Sequence, residues 1–157
     1  MGIKSYIVNF LKFLKHGGVK YVSVTFTNPD ARYTNKKVFI SGGSEGLGRA
    51  MAKAYLAEGA EVIVTGRSKE KLSNFQLSES NAKLHTLVWD ALDFDSYKQK
   101  FDKAVSMMGR IDIFVNNVGG GMSKYEPWNA YTAEVLDRTY DINTKSMFLM
   151  CQMEGLY

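Results

Sequence analysis

Cysteine is nearly missing from this chain. Cys151 is the only one, so no internal disulfide forms, and such usage fits a reducing, cytoplasmic setting. Proline is scarce too, with two residues and no low-complexity tract, which argues against disorder. Histidine is limited to His16 and His85; neither has carboxylates or thiols at ligand spacing, so no metal site is expected. No apolar run reaches the length that spans a bilayer. These gaps exclude a disulfide-stapled scaffold, a membrane channel, a coiled coil and a cysteine-rich zinc module. What remains is 157 residues, 45% apolar and 23% charged, enough for one packed domain.

The net charge of +4 is unevenly spread. Through Lys37 the basic residues Lys4, Lys12, Lys15, Lys20, Arg32, Lys36 and Lys37 face Asp30 alone. The remainder is slightly acidic, so the basic excess belongs to an N-terminal extension and not to a nucleic-acid surface. Residues 1–35 form that extension, and residues 36–157 the domain proper. Within the extension Ile3, Tyr6, Ile7, Phe10, Leu11 and Leu14 recur at helical spacing, with lysines between them and Gly17-Gly18 as a stop. Such an amphipathic helix packs on its own domain or on a partner; a weak contact with an anionic membrane is the alternative. Asn9 and Lys12 interrupt the apolar stretch, which argues against a signal peptide.

From Lys36 onward short β-rich runs alternate with helical stretches. Strands are expected at 38–40, 62–65, 84–89 and 111–115, with helices at 49–57, 70–75, 95–108 and a long one over 133–153. Gly59 and Gly109 stand where helices should stop. This alternation predicts an α/β fold with a parallel sheet covered on both faces.

The first strand runs into Ser41-Gly42-Gly43-Ser44-Glu45-Gly46-Leu47-Gly48. Between a strand and a helix, glycines allow positive φ and close backbone approach, and free N–H groups at the helix start attract an anion. That is the logic of a dinucleotide site, although the spacing Gly-x-x-x-Gly-x-Gly differs from the commoner Gly-x-Gly-x-x-Gly. No Lys-Ser/Thr follows the last glycine, so it is not a P-loop. At the end of the second strand an acid would bind both ribose hydroxyls of NAD, whereas an arginine suits the 2′-phosphate of NADP. Here the run is Thr65-Gly66-Arg67, which favours NADP over NAD. Glu45 in the turn is a like charge to that phosphate and weighs the other way.

These residues together resemble the short-chain dehydrogenase/reductase family. The resemblance rests on the glycine turn, on Asp90 after the third strand, on Asn116-Asn117-Val118-Gly119 after the fourth, and on Asn143 in the long helix. It extends from Lys36 to about Tyr157. It implies a Rossmann-type doubly wound sheet, here a partial one, and an oxidoreductase passing hydride between a nicotinamide and a carbonyl/alcohol pair. By resemblance Gly42, Ser44, Gly46, Leu47 and Gly48 bind the pyrophosphate and riboses, and Arg67 takes the 2′-phosphate. Asp90 and the Ala91 backbone bind the adenine edge, while Asn117 and Gly119 line the cofactor channel and Asn116 braces the sheet. Asn143 matches the catalytic asparagine that holds a water in the proton relay. A small-molecule carbonyl or alcohol substrate and a homo-oligomer are also implied. Val118 replaces the family's usual alanine and should narrow the channel.

The family's serine, tyrosine and lysine are expected beyond the fourth strand, past Tyr157. The lysine is needed to lower a phenol that otherwise titrates near 10. Tyr33 and Lys37 have the Tyr-x-x-x-Lys spacing, but precede the first strand and lie on the wrong side for a nicotinamide. The alternative to an enzyme is a non-catalytic NAD(P)-binding module or truncated pseudoenzyme. Cys151, on a methionine-rich helical face, is expected in the core.

Overall fold

The computed structural model describes residues 32–121 and 128–157. The amphipathic pattern over residues 3–14 and His16 lie outside the described residues. No helix among the described residues is long and apolar enough to cross a membrane.

Four parallel strands form one sheet in the order β3-β2-β1-β4. They are β1 (Lys37–Ser41), β2 (Glu61–Gly66), β3 (Leu84–Val88) and β4 (Ile113–Asn116). β1 is central, with Phe39 opposite Ile63 on one side and Phe114 on the other. The helices are α1 (Gly46–Ala57), α2 (Lys69–Glu79), α3 (Tyr97–Met108), α4 (Ala133–Tyr140) and α5 (Ser146–Glu154). Gly59 (φ +87) and Gly109 (φ +85) end α1 and α3 in the left-handed region, as the sequence predicts.

Strand alternation sends neighbouring side chains to opposite faces. Val38, Ile40, Val62 and Val64 pack with Ala52 and Leu56 of α1 and with Leu72 and Phe75 of α2. Phe39 and Ile63 point the other way, to Tyr97, Phe101 and Ala104 of α3 and Met150 of α5. Both faces of β1 and β2 are buried, which is why these two strands carry continuous apolar runs. Phe39 stacks on Phe101 with centroids 5.1 Å apart.

Three expectations need correction. The long helix over 133–153 is interrupted: Asp141–Lys145 forms a π-helical turn between α4 and α5. Cys151 is exposed, its Sγ accepting from Asn116 Nδ2 at 3.3 Å. The buried positions of α5 are Ser146 and Met150, and the next residue lies about 100° further round the helix, off that face. The fourth strand also starts two residues later and ends one residue later than expected.

Candidate functional site

The glycine turn leaves β1 with Gly42 at φ +69 and Gly46 at φ +58. Its start is fastened to β2: Gly42 N donates to Thr65 Oγ1 at 3.3 Å and Gly43 N to the Thr65 carbonyl at 2.8 Å. A Cβ on Gly48 would lie 2.2 Å from the Gly42 carbonyl oxygen and 2.6 Å from Asn117 Nδ2. α1 therefore starts directly beneath the turn. No side chain caps its N-terminus and no acid lies in its first turn, so its orphan N–H groups are left for an anion.

The end of β4 is locked to the same turn. The buried Ser41 hydroxyl accepts from Asn117 N at 2.9 Å and Val118 N at 3.2 Å. Asn117 Nδ2 donates to the Gly42 and Ser41 carbonyls at 2.9 and 3.3 Å, and its Oδ1 accepts from no other described residue. Asn116 donates to the Met147 carbonyl at 2.8 Å, bracing β4 against α5. Asn143 sits in the π turn and clasps Gly120: its Oδ1 accepts from Gly120 N at 3.0 Å and its Nδ2 donates to Gly120 O at 2.8 Å. Nδ2 also donates to Thr139 O at 2.9 Å.

A cleft of about 760 Å³ opens along the C-terminal ends of the strands. Of the residues singled out from sequence, Gly42, Ser44, Leu47, Gly48, Arg67, Asp90, Ala91, Asn117 and Gly119 line it. Gly46 does not, but its positive φ shapes the turn. Asn143 reaches the cleft through Gly120, which also lines it. Val118 lines it too, with Cα and Cγ2 3.2 Å from where a Gly42 Cβ would stand. Tyr33 and Lys37 lie at the opposite end of β1, Lys37 paired with Glu61.

On the far wall Asp90 Oδ1 accepts from Leu92 N at 3.0 Å, folding the Asp90–Leu92 segment into an Asx turn and not a helix cap. The buried Tyr97 hydroxyl donates to the Ala91 carbonyl at 2.6 Å. Burial pushes this phenol up to about 12, so it stays a neutral donor at physiological pH. Arg67 is exposed at the rim and makes no hydrogen bond or ion pair with another described residue.

Sequence reasoning missed Lys71, and it quoted Ser41 and Thr65 without giving either a role. Lys71 Nζ donates to both Glu45 oxygens at 2.8 Å, and both residues line the cleft. Its signal was its place four residues after Arg67, one turn on in the helix that leaves the rim. The fastening roles of Ser41 and Thr65 carried none, since a hydroxyl at a strand end reads as ordinary β-sequence.

The sheet order and the glycine turn make this a dinucleotide cleft of the doubly wound kind. The family model for short chain dehydrogenases matches residues 36–154. The chain belongs to the short-chain dehydrogenase family. Membership carries NAD(P) as the cofactor class. Among curated short-chain dehydrogenases, the chain is 31% identical to a 7alpha-hydroxysteroid dehydrogenase of Bacteroides fragilis, over 78% of this chain and 46% of the relative. It is 35% identical to levodione reductase of Leifsonia aquatica, over 78% of this chain and 47% of that protein. The crystal structure of a levodione reductase superposes with a TM-score of 0.70 at 33% identity, covering 77% of this chain and 48% of that one. A glucose/ribitol dehydrogenase structure from Brucella melitensis gives 0.72 at 25% identity, covering 81% and 53%. The chain thus spans about half the length of the short-chain dehydrogenases it matches.

Proposed function

We propose that residues 36–157 form the cofactor-binding part of an NADP(H)-dependent oxidoreductase acting on a small-molecule carbonyl/alcohol pair. The observation that carries the NADP preference is the rim of the cleft. Arg67 stands exposed at the end of β2, where an acid would favour NAD, and Lys71 neutralises Glu45 beside it. The fit of a dinucleotide is supported by the tight glycine turn, where a Cβ on Gly48 would meet the Gly42 carbonyl oxygen at 2.2 Å, and by the start of α1 that no side chain caps.

In this reading the α1 N-terminus and Gly42–Gly48 hold the pyrophosphate, with Leu47 over the ribose side. Arg67 pairs with the 2′-phosphate. Asp90 and the Ala91 backbone meet the adenine, and Asn117 Oδ1 and Gly119 border the path to the nicotinamide. When bound, the nicotinamide supplies or accepts the hydride. Asn143 holds the Gly120 loop against that end of the cleft. The serine, tyrosine and lysine of the chemistry are supplied by sequence outside this chain, and the whole enzyme works as a homo-oligomer in the cytoplasm.

The test is a titration of NADPH and NADH into the wild-type chain and Arg67→Ala. A charge-assisted contact is worth about 1.5–3 kcal/mol, so NADPH affinity should fall about 10- to 100-fold while NADH affinity holds. Equal losses for both cofactors would overturn the NADP assignment. The second reading is an NAD(P)-binding module without chemistry, favoured by a cleft lined mostly by residues assigned to the cofactor. Carbonyl reduction by the native protein, purified from its source, separates the two.

A further inference from the structure

Among the described residues that line the cleft, the cations are Arg67, Lys71 and Arg138, and the carboxylates are Glu45 and Asp90. Asp90 is engaged by the Leu92 amide. Arg138 stands on α4, in the helix that leads into the Asn143 turn. That leaves Arg67, Lys71 and Glu45 at the β2 end. Lys71 is the third residue of α2, and its N–H donates to the Ser68 hydroxyl at 3.2 Å, which fixes the first turn of that helix. Arg67 comes four residues earlier, just ahead of the Ser68 cap. From α2 the Lys71 ammonium crosses to the glycine turn and meets both Glu45 oxygens at 2.8 Å.

This ion pair is easily exchanged. The Lys71 side chain is 52% exposed and that of Glu45 66%, and a pair so open to water contributes little to stability. Glu45 is also the residue ahead of α1, yet its carboxylate makes no bond to that helix start, so Lys71 is its partner. Arg49, four residues on in α1, is turned away: it donates to Ser78 and lies over the Phe75 ring at 4.6 Å. A carboxylate brings one negative charge to an ammonium. A phosphate monoester brings nearly two, with three strong acceptor oxygens. A phosphate held beside Arg67 therefore competes with Glu45 for Lys71 and wins, and the exposed carboxylate turns to water.

We infer that Lys71 is a specificity-determining residue: it shares the 2′-phosphate of NADP(H) with Arg67, and Glu45 is the counter-ion that this phosphate replaces. The inference rests on the reading that the cleft takes NADP(H). Lys71 then does more than cancel a like charge. It is a second ligand of the phosphate, brought to the rim by α2 and held there by Glu45. Glu45 in turn weakens NADPH binding, because its pair with Lys71 must open first, and it is indifferent to NADH, which has no phosphate at that hydroxyl.

The experiment titrates NADPH and NADH into the full chain as wild type, Lys71→Met, Glu45→Gln and the double variant. Glu45→Gln should bind NADPH about two- to fivefold more tightly than wild type. Lys71→Met should weaken NADPH about tenfold, and should still weaken it about fivefold on the Glu45→Gln background. NADH affinity should hold to within about twofold in all four. A lysine that only neutralises Glu45 loses its effect once Glu45 is gone. That result, or equal losses for NADPH and NADH, overturns the assignment of Lys71 and leaves the NADP reading standing. Unchanged NADPH affinity in Glu45→Gln overturns the exchange of counter-ions. If wild type and Arg67→Ala show the same ratio of NADPH to NADH affinity, the NADP reading itself falls, and the role of Lys71 with it. Both substituted side chains are exposed, so thermal melts should match wild type; if Lys71→Met does not fold, Lys71→Gln takes its place on both backgrounds.

Discussion

Gly48 and Gly46 are both glycines of one turn, yet they are required for different reasons. At Gly48 the obstacle is steric, since an added methyl would meet the Gly42 carbonyl oxygen at 2.2 Å. At Gly46 nothing lies within 4 Å and only the positive φ of +58 matters. Gly48→Ala should therefore cost about 1–3 kcal/mol as an overpacking change and abolish nucleotide binding, because the turn must open. Gly46→Asn should fold and bind, since asparagine tolerates the left-handed region. Thermal melts with a nucleotide titration distinguish the two, and equal losses would mean that conformation alone governs the turn. Glu45 belongs at this scale too. Read from sequence it opposes a 2′-phosphate, but Lys71 holds both of its oxygens, and a contact across 26 residues is not written in local pattern.

Among the elements, the start of the sheet carries the clearest pH dependence. Glu61 lies between Lys37 and His85, its Oε1 2.8 Å from His85 Nε2. Partial burial pushes its carboxyl up, but hydrogen bonds from Lys37 and His85 outweigh this and leave it below the ordinary value of 4.5. The unfolded chain therefore binds this proton more readily, and stability rises with pH in that window. The contribution is complete above about pH 4.5 and fades as pH falls through the folded value. A plot of Tm against pH should fall more steeply for wild type than for Glu61→Gln below that point; parallel curves would remove Glu61 from the acid limb.

The elements themselves were largely legible in sequence. The runs at Val38, Val62 and Leu84 announce strands, Gly59 and Gly109 announce helix ends, and the glycine turn announces the cleft. The π turn was not, because i+4 and i+5 bonding follow from packing around Asn143 and Ser146 and leave the apolar periodicity nearly unchanged. Cys151 was misplaced for a related reason: a methionine-rich stretch does not say which way its residues face. Tyr97 falls within the expected helix over 95–108, but the bond from its hydroxyl to the Ala91 carbonyl belongs to tertiary structure.

On the scale of the whole molecule, α4, α5 and the residues that follow them leave large apolar side chains in solvent: Leu136, Tyr140, Phe148, Leu156 and Tyr157 are all exposed, Phe148 by 69%. Apolar exposure of this kind favours association. The isolated chain should self-associate with rising concentration, and Phe148→Glu should shift sedimentation toward the monomer; identical profiles would show that this surface is inert. The strand order has a separate consequence, for the order of assembly. β1 finds β2 across 24 residues but β4 across 75, and closing the longer loop costs about 1 kcal/mol more by polymer scaling. As a nascent chain leaves the ribosome, β1, β2 and β3 can zip together with α1 and α2 before β4 has been synthesised. In pulse-labelled refolding, the amides of Ile63 and Val64 should be protected ahead of that of Val115. The half of the cleft that carries the glycine turn would then be built first, and on the proposed reading a nucleotide already present in the cell would act as a template on which β4 and the Asn143 turn come to rest.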